Sequence, residues 1–465
     1  MPSGPAPPPV LTAILRLAPW AVLSFILQNA YNQNDAWFLS KVSATASNAL
    51  GLFMMVQIAN FGAILVLARG TQSLVARRIG AGNREGAARA YVQGLLLAGR
   101  IVLPLAALQW IFAPEILHFM GGRGETVEAA TTFLRTLYWF MPVLFLQPIT
   151  DFTFQALGDT GTPFRLQLLA LSINTALNWL LVLPHEWTVG GTVLAFGDLG
   201  VAGAATATGV SRLFAGGLGL LLLVRRFGFT PVTQRASWRA NGPVLREILR
   251  VGLPAGTSTF LYALVGVFVL QVVGRFGQEA YGAYGIGFRG VESVSFMIVL
   301  GFGTATATVA GHAMGAGDLA RARRAGHVGT WTAVAVMMVS LIVFRVFPGG
   351  LAGLFTSDPG LIHVAAGYIA IMALCQPFQA LEMVYGDAMA GAGSALRTVL
   401  ISIPGNLLRV PLAWYLAVGL DLGLEGVWYA VVVSAILKGL GVMALFCSRY
   451  WEKTALAARD VVAAR

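Results

Sequence analysis

Apolar stretches long enough to cross a lipid bilayer recur from one end of this 465-residue chain to the other. A helix needs about 20 predominantly apolar residues to cross the hydrocarbon core. Hydrophobic residues make up 57% of the chain and charged residues only 11%, whereas soluble domains carry about 25% charged residues. The pattern predicts a helical integral membrane protein. It argues against a β-barrel, whose strands would be short and alternating.

Twelve candidate spans can be drawn, in two sets of six. They are 13–38, 46–72, 88–113, 130–156, 163–184, 200–224, 247–273, 281–309, 324–347, 362–389, 397–419 and 424–447. A polar stretch at 225–246 predicts a cytoplasmic linker between an N-terminal lobe at 13–224 and a C-terminal lobe at 247–448. Residues 1–12 are predicted to form a disordered tail and residues 449–465 a cytoplasmic tail.

The two sets of spans repeat each other at a constant offset. The landmark pairs, each 235 residues apart, are Pro19 with Pro254, Gly80 with Gly315, Pro142 with Pro377 and Gly158 with Gly393. Because each half has an even number of spans, the repeat is parallel, with its axis along the membrane normal. Duplicated transporters of this kind bind substrate near the midplane and rock one half against the other. The alternative is a duplicated scaffold without transport.

Basic residues collect in alternate gaps between the spans. The basic gaps hold Arg77, Arg78, Arg84 and Arg89, then Arg225, Arg226, Arg235, Arg239, Arg246 and Arg250, then Arg321, Arg323 and Arg324, and finally Arg449 and Lys453. This is the positive-inside pattern. It predicts a multi-pass protein of the cell (inner) membrane with both termini in the cytoplasm. Topology therefore explains the net charge of +11, and nucleic-acid binding is not expected.

Six motifs occur along the chain in an order and spacing that resemble the MATE family of multidrug and toxic compound extrusion transporters. They are Pro19 with Asp35, GTQSLVARRIGAGN (70–83), GDTGTP (158–163), GVAGAATAT (200–208), GFRGVESVSFM (287–297) and LRVPLAWYL (408–416). The fifth resembles a signature of the DinF-like branch, the nearest branch of the family. The resemblance covers nearly the whole chain. It implies an all-α membrane protein of the MATE/MOP superfamily fold, with twelve transmembrane helices in two pseudo-symmetric six-helix lobes.

The resemblance also implies a function. It predicts a secondary active transporter, not an enzyme, that exports lipophilic and often cationic compounds by antiport with protons or, alternatively, sodium. A lipid or lipid-linked oligosaccharide flippase of the same superfamily is a further alternative. A flippase would carry a row of basic residues in its cavity. Nearly all arginines here fall in predicted loops, with Arg100, Arg275, Arg289, Arg345 and Arg409 as the exceptions.

The sequence lacks the motifs that are typical of other classes of membrane protein. There is no Walker motif, so ATP is not expected to supply the energy. A prenyl transferase would need clustered carboxylates for magnesium, and a channel would need a filter-like loop. The two cysteines have no zinc-binding spacing. No cofactor or metal is predicted. The expected partners are organic cations or other lipophilic compounds, the coupling ion and the lipid bilayer, and a monomer is expected.

Asp35 is the leading site candidate. An ionisable residue inside a membrane segment is expensive and is a functional-site hypothesis by default. Such a carboxylate can load a proton on one side of the membrane and release it on the other. Gln28 and Asn32 precede Asp35 by seven and three residues and share its helical face. That face is predicted to line a water-filled cavity.

Polar residues of the fifth and sixth spans are the predicted partners of Asp35. Asn174 and Asn178 lie four residues apart and therefore on one helical face, and the resemblance assigns both, with Thr208, to the pocket of Asp35. The family pattern has Asp where this chain has Asn178. Because hard cations favour charged oxygen ligands, a sodium site at Asp35, Asn174 and Asn178 stays possible but is less favoured than a proton site. The alternative role for the two asparagines is helix–helix hydrogen bonding.

Further candidates are spread over both halves. The substrate-cavity candidates are Gln28, Tyr31, Asn32, Tyr138, Tyr262, Gln379 and Glu382, and the structural or gating candidates are Pro19, Arg289 and Glu292. Tyr262 and Gln379 stand where the sodium-coupled NorM type has acidic residues, which argues against that cation site. Glu382 either lines the cavity or is paired by a neighbouring helix. Arg289 and Glu292 are three residues apart and are predicted to pair.

Overall fold

A computed structural model describes residues 8–189 and 192–463, and within these ranges a few side chains, including those of Tyr262 and Arg289, are not described. The elements of the first half are α1 (Val10–Val42), α2 (Ala44–Gly80), α3 (Arg84–Ile111), α4 (Ala113–Phe119), α5 (Glu125–Tyr138), α6 (Met141–Ala156), α7 (Gly161–Val182), β1 (Pro184–Val189), β2 (Thr192–Gly197) and α8 (Gly200–Phe227). Two short 3-10 helices follow, Thr230–Thr233 and Arg235–Trp238.

The helices of the second half are α9 (Gly242–Val273), α10 (Gln278–Tyr284), α11 (Ser293–Gly315), α12 (Leu319–Val346), α13 (Pro348–Gly353), α14 (Pro359–Met372), α15 (Gln376–Gly391), α16 (Leu396–Leu407), α17 (Arg409–Trp414), α18 (Gly423–Cys447) and α19 (Tyr450–Ala463). A π-helical segment, Gly285–Glu292, joins α10 to α11, and a second, Tyr415–Gly419, continues α17. Two 3-10 helices, Gly274–Phe276 and Ala373–Cys375, join α9 to α10 and α14 to α15.

The predicted spans coincide with helices. Within the described ranges, eight helical segments are long and apolar enough to cross a membrane, and two bent pairs raise the number to ten. The bends are 45° within α2 and 64° between α5 and α6. The other two predicted spans, 163–184 and 247–273, coincide with α7 and α9. The prediction of an all-α membrane fold with about twelve spans is confirmed.

Several connections differ in detail from their prediction. Helix α1 begins at Val10, inside the predicted tail, and α19 occupies most of the predicted tail at 449–465. The predicted linker at 225–246 holds both 3-10 helices and the start of α9. An antiparallel hairpin, β1 with β2, connects α7 to α8 and was not predicted; in it Pro184 lies opposite Gly197.

Contacts between residues divide the chain into two compact units. Unit 1 contains the residues up to Phe25, Ala76–Asn83 and Leu253–Arg465, and unit 2 contains Ile26–Val75 and Arg84–Gly252. Unit 1 therefore includes the first half of α1 and the end of α2 together with the C-terminal helices. The lobe boundaries at 224 and 247 stay a prediction.

Unit 1 contains a large apolar core built from the start of α1 and from α11, α12, α15 and α18. The repeated glycine landmark lies in this unit, and close helix packing explains it. A Cβ atom on Gly80 would collide with the backbone carbonyl of His312, and one on Gly315 would collide with the carbonyl of Arg77. The ends of α2 and α11 thus approach each other closely at the same motif in both halves, which only glycine permits.

Unit 2 contains the helices that carry the predicted site. The hairpin turns the chain back after α7, so that α8 packs antiparallel against it. Small buried residues of α8, including Gly203, Ala204 and Ala207, allow this close approach. The side chain of Asp159 accepts a hydrogen bond from the backbone nitrogen of Thr162 at the start of α7 (3.0 Å). The pair α7 and α8 places the polar residues of both helices beside the second half of α1.

Candidate functional site

Asp35 lies at the centre of a buried hydrogen-bond cluster in unit 2. Its side chain is only 4% exposed. Oδ1 accepts hydrogen bonds from Nδ2 of Asn174 (3.0 Å) and Nδ2 of Asn178 (2.7 Å). Oδ2 accepts one from Oγ1 of Thr208 (2.7 Å). The structure therefore brings together all four residues that were predicted to form the coupling site.

A second layer of amide contacts holds this cluster. Nδ2 of Asn34 donates to Oδ1 of Asn174 (2.7 Å). Asn178, one helical turn further along α7, donates to the same oxygen (3.2 Å). Oδ1 of Asn178 is buried and has no hydrogen-bond partner among the described residues. Asn34 had not been predicted as a site residue, because it lies to the side of the face that carries Asp35.

Tyr31 lies one helical turn before Asp35 and connects it to another polar group on α8. The Tyr31 side chain is buried, and its hydroxyl lies 2.6 Å from Oγ of Ser211 and donates to the backbone oxygen of Thr208 (3.3 Å). The guanidinium of Arg212 stacks on the Tyr31 ring, 4.1 Å from its centroid. Tyr31 was predicted to line a cavity, and its contacts place it between Asp35 and a buried cation.

Arg212 is the principal residue that sequence reasoning missed. It is 9% exposed, and Nη1 donates to the side-chain oxygens of Gln28 (3.1 Å), Gln147 (3.3 Å) and Gln167 (3.4 Å). Arg212 also interacts electrostatically with Asp151, a second carboxylate that was not predicted. The prediction that only five arginines fall outside the loops was therefore wrong. The signal was available, since Arg212 falls in the middle of the span predicted at 200–224.

The other predicted cavity residues of unit 2 have different surroundings. Nε2 of Gln28 donates to Oδ1 of the exposed Asn32 (3.4 Å). Tyr138 is buried and forms a separate network, in which its hydroxyl donates to Gln109 (2.8 Å) and accepts from Asn60 (2.6 Å). Among the described residues, Tyr138 makes no hydrogen bond to the Asp35 cluster. Its role as a cavity residue stays a prediction.

Unit 1 has its own buried carboxylate, Glu292, at the end of the π-helical segment. Glu292 is 3% exposed. Its oxygens accept hydrogen bonds from the hydroxyl of Tyr368 (2.7 Å) and from Nε2 of Gln379 (3.0 Å). Arg409, also buried, attracts Glu292 electrostatically and donates from Nε to Oγ of Ser434 (2.7 Å).

The remaining candidate residues of unit 1 differ in their surroundings. Glu382 forms an ion pair with the buried Lys438, Oε2 to Nζ 2.8 Å, and accepts a hydrogen bond from Ser402 (3.0 Å). The side chains of Tyr262 and Arg289 lie outside the described part of the structure, so the predicted pairing of Arg289 with Glu292 stays a prediction. Pro19 lies inside the helix α1, and a gating role for it stays a prediction.

The MatE family model matches residues 21–180 and 254–415, one match in each half of the chain. The chain is 27% identical to a probable multidrug resistance protein NorM of Thermotoga maritima, covering 98% of this chain and 96% of the relative. A relative with the same description in Deinococcus radiodurans is 29% identical, with 94% of this chain and 95% of the relative covered.

Solved structures share the fold at lower identity. A MOP superfamily transporter from Pyrococcus furiosus is 22% identical, with a TM-score of 0.85 over 97% of each chain. An outward-facing multidrug resistance MATE family transporter is also 22% identical, with a TM-score of 0.85 over 96% of each chain. Since the family model matches more than half of the chain, this protein belongs to the MatE family and is a multi-pass membrane transporter, not an enzyme.

Proposed function

We propose that this chain is a secondary active multidrug exporter that moves lipophilic, often cationic, compounds out of the cell in exchange for protons. The observation that carries this proposal is the environment of Asp35. Its direct partners are two amides and one hydroxyl, all neutral. None of the ion pairs within the described residues includes Asp35. Arg212 attracts Asp35 electrostatically but forms no ion pair with it, so Asp35 can bind and release a proton.

The same cluster can also provide the hydrogen-bond acceptor that a protonated Asp35 needs. A carboxylic acid needs an acceptor for its O–H group. The unpartnered Oδ1 of Asn178 supplies one when the amide turns by 180°, an exchange of nitrogen and oxygen that leaves the shape of the side chain unchanged. Asn178 would donate to the carboxylate form and accept from the acid form. Both states of the coupling cycle thereby keep the hydrogen bond between Asn178 and Asp35, while the turn gives up the bond that Asn178 donates to Asn174.

Sodium coupling is the second candidate. Asp35, Asn174 and Asn178 can offer oxygens to a sodium ion, and the free Oδ1 of Asn178 favours this reading. The cluster has only one carboxylate, whereas hard cations favour charged ligands. Within the described residues, no group of three or more His, Cys, Asp or Glu side chains could hold a metal ion. We therefore favour the proton.

The relatives and the charge distribution support the rest of the proposal. The relatives described as probable multidrug resistance proteins support the substrate class. The basic residues of alternate loops support an inner-membrane location with both termini in the cytoplasm. We infer a monomeric functional unit, because a single chain provides both halves of a duplicated transporter.

Transport in proteoliposomes tests the proposal. Export of the fluorescent cation ethidium is measured with a pH gradient alone and with a sodium gradient alone. We expect the pH gradient to drive transport and Asp35→Asn to abolish it, because the amide cannot carry a proton. The matched control is Asp421→Asn, the same change at an exposed position, which should leave transport intact.

Each other result has a distinct meaning. Transport that responds only to sodium would favour the sodium site. Transport that survives in Asp35→Asn would contradict the role of Asp35. If neither gradient moves any cation, multidrug export is wrong and the flippase alternative comes first. Thermal unfolding of Asp35→Asn shows whether a loss of transport reflects a loss of folding.

A further inference from the structure

The guanidinium of Arg212 has a free hydrogen-bonding edge. All three of its side-chain hydrogen bonds leave from one nitrogen, Nη1. Among the described residues, Nε and Nη2 make no hydrogen bond. The ring of Tyr31, 4.1 Å below the guanidinium, covers one face and fixes the plane. The Tyr31 ring and the acceptors of Nη1 therefore fix the guanidinium, while the N–H groups of Nε and Nη2 stay available.

A second donor without an acceptor belongs to Gln167, a hydrogen-bond partner of Arg212. Gln167 is 3% exposed, and its Nε2 has no hydrogen-bond partner among the described residues. Its Oε1 is one of the three atoms that accept from Arg212 (3.4 Å). A buried donor without an acceptor costs about 1–3 kcal/mol. Such groups are uncommon in folded proteins and call for an explanation, such as an absent ligand.

The positive charge of Arg212 is only partly balanced. Its three hydrogen-bond acceptors are neutral amide oxygens. Asp151 and Asp35 attract it electrostatically, but no ion pair within 4.0 Å joins Arg212 to an acid in the described residues, and Oδ1 of Asp151 itself has no partner. A planar guanidinium with free N–H groups matches the two oxygens of a carboxylate. The combination of charge, free edge and unpaired amide indicates a carboxylate-binding subsite.

The neighbouring residues define what else the ligand would carry. Thr208, which bonds Asp35, and Arg212 lie four residues apart on α8, about 6 Å along the helix axis. Tyr31 contacts both residues and supplies an aromatic ring between them. Half-buried Gln28 accepts from Arg212 and donates to the exposed Asn32. A compound with a carboxylate and a cationic group about one helical turn apart would meet Arg212 and Asp35 together.

We propose that Arg212 binds the carboxylate of those substrates that carry one. This inference rests on the proposed export function and names the residue that recognises the anionic portion of a substrate. Asp35 selects the positive portion and Arg212 the negative portion. Arg212 acts as a specificity-determining residue that touches the substrate, and Gln147 and Gln167 position its guanidinium.

A pair of xanthene dyes tests this inference. Rhodamine 110 carries a free carboxylate, and rhodamine 123 is its methyl ester and has no anionic group. Both are measured in the proteoliposome assay and, separately, by fluorescence polarisation on the purified full-length protein. We expect Arg212→Gln to weaken binding and slow transport of rhodamine 110 by about tenfold or more, the effect of losing a charge-assisted hydrogen bond. Rhodamine 123 should change little.

Two further variants separate specificity from folding. Arg226→Gln makes the same change near the end of the same helix, at an exposed arginine that pairs with Asp159 (3.3 Å), and should affect neither dye. Arg212→Lys keeps the charge without the planar fork, so an intermediate effect on rhodamine 110 is expected. Because it keeps a buried cation beside the amide oxygens, this variant gives a test even if Arg212→Gln unfolds.

The remaining outcomes overturn the inference in distinguishable ways. If Arg212→Gln weakens both dyes equally, Arg212 is structural and the subsite is wrong. If the wild type transports the ester but neither binds nor transports the acid, export stands and the subsite is wrong. If the wild type transports neither dye and binds the acid no better than Arg212→Gln does, both the export proposal and the subsite are wrong.

Discussion

Each of the two units buries one cation on its last long membrane helix, and the two cations are held in opposite ways. In unit 2, Arg212 of α8 donates to the neutral oxygens of Gln147 and Gln167. In unit 1, Lys438 of α18 lies 2.8 Å from the carboxylate of Glu382. The cation of unit 1 therefore has a direct counterion, whereas the cation of unit 2 does not. Only the arrangement around Arg212 leaves positive charge available to a ligand.

One partner of each cation, together with the residue bonded to that partner, occupies equivalent positions in the repeat. Gln147 corresponds to Glu382 and Gln167 to Ser402, at the same 235-residue offset as the sequence landmarks (382−147 and 402−167). Gln147 donates to Gln167 (3.3 Å), and Ser402 donates to Glu382 (3.0 Å). Both halves thus keep a hydrogen-bonded polar pair at these positions, but only the second half has a carboxylate in it. A duplicated scaffold can therefore carry two sites of different charge.

The buried carboxylates differ in a related way. Asp35 is bonded only by neutral groups on α7 and α8. Glu292 is bonded by Tyr368 and Gln379 and is also attracted by the buried Arg409. Asp35 is likewise attracted by the buried Arg212. Among the described residues, the two acids therefore differ in their hydrogen-bond donors, three for Asp35 and two for Glu292, and not in the presence of a buried arginine.

The largest expected effect comes from breaking the ion pair of unit 1. Glu382→Gln leaves Lys438, which is 3% exposed, without a counterion. Removal of one partner of a buried pair destabilises a protein by about 3 kcal/mol or more. At the equivalent position of unit 2, Gln147→Met keeps the length of the side chain but removes one neutral acceptor from Arg212 and one donor to Gln167, and should cost only about 1–2 kcal/mol. Thermal unfolding in detergent micelles measures both.

A double variant controls this comparison. Glu382→Gln combined with Lys438→Met removes both charges and should recover most of the lost stability, because replacing a buried pair by apolar groups is often neutral. Equal losses for Glu382→Gln and Gln147→Met would contradict the distinction between a paired and an unpaired cation.

The parts of the fold and site that sequence could predict are those with local or repeated signals. Long apolar segments predicted the membrane helices, and the common offset of 235 residues revealed the repeat. The spacing of Asn174 and Asn178 predicted that they share one helical face. Their association with Asp35 and Thr208 came from the family resemblance, because the sequence of one helix does not determine which neighbouring helix it contacts.

The parts that were missed depend on packing between distant segments. No spacing rule connects Glu382 with Lys438 or Gln147 with Arg212, since the register of one helix against another is set by side-chain packing. The hairpin had a usable signal, because TVGGTVL places a Gly-Gly pair between β-branched residues. The π-helical segment that ends at Glu292 had none, since such segments arise from tertiary packing.

A second prediction concerns a substitution that makes the cation site of unit 2 resemble that of unit 1. Gln147→Glu gives Arg212 a carboxylate partner like the one that Lys438 has. We expect transport of rhodamine 110 to fall about tenfold, equivalent to about 1.4 kcal/mol, because the substrate carboxylate must now compete with an internal one. Transport of rhodamine 123 should be retained. Gln234→Glu, the same change at an exposed position, is the control, and an equal fall for both dyes would contradict the comparison.

The smallest expected effect separates the two buried tyrosines. The hydroxyl of Tyr368 donates to the carboxylate of Glu292 (2.7 Å), whereas that of Tyr31 is paired with the hydroxyl of Ser211 (2.6 Å). A hydrogen bond to a charged group contributes about 2 kcal/mol and one between neutral groups about 1 kcal/mol. Tyr368→Phe should therefore lower the unfolding free energy by about 1 kcal/mol more than Tyr31→Phe does. Both substitutions remove one oxygen and keep the ring, so packing is matched, and circular dichroism checks that helicity is unchanged. Equal losses would mean that Glu292 is held as a neutral acid, in which case the two units differ in their cations but not in their carboxylates.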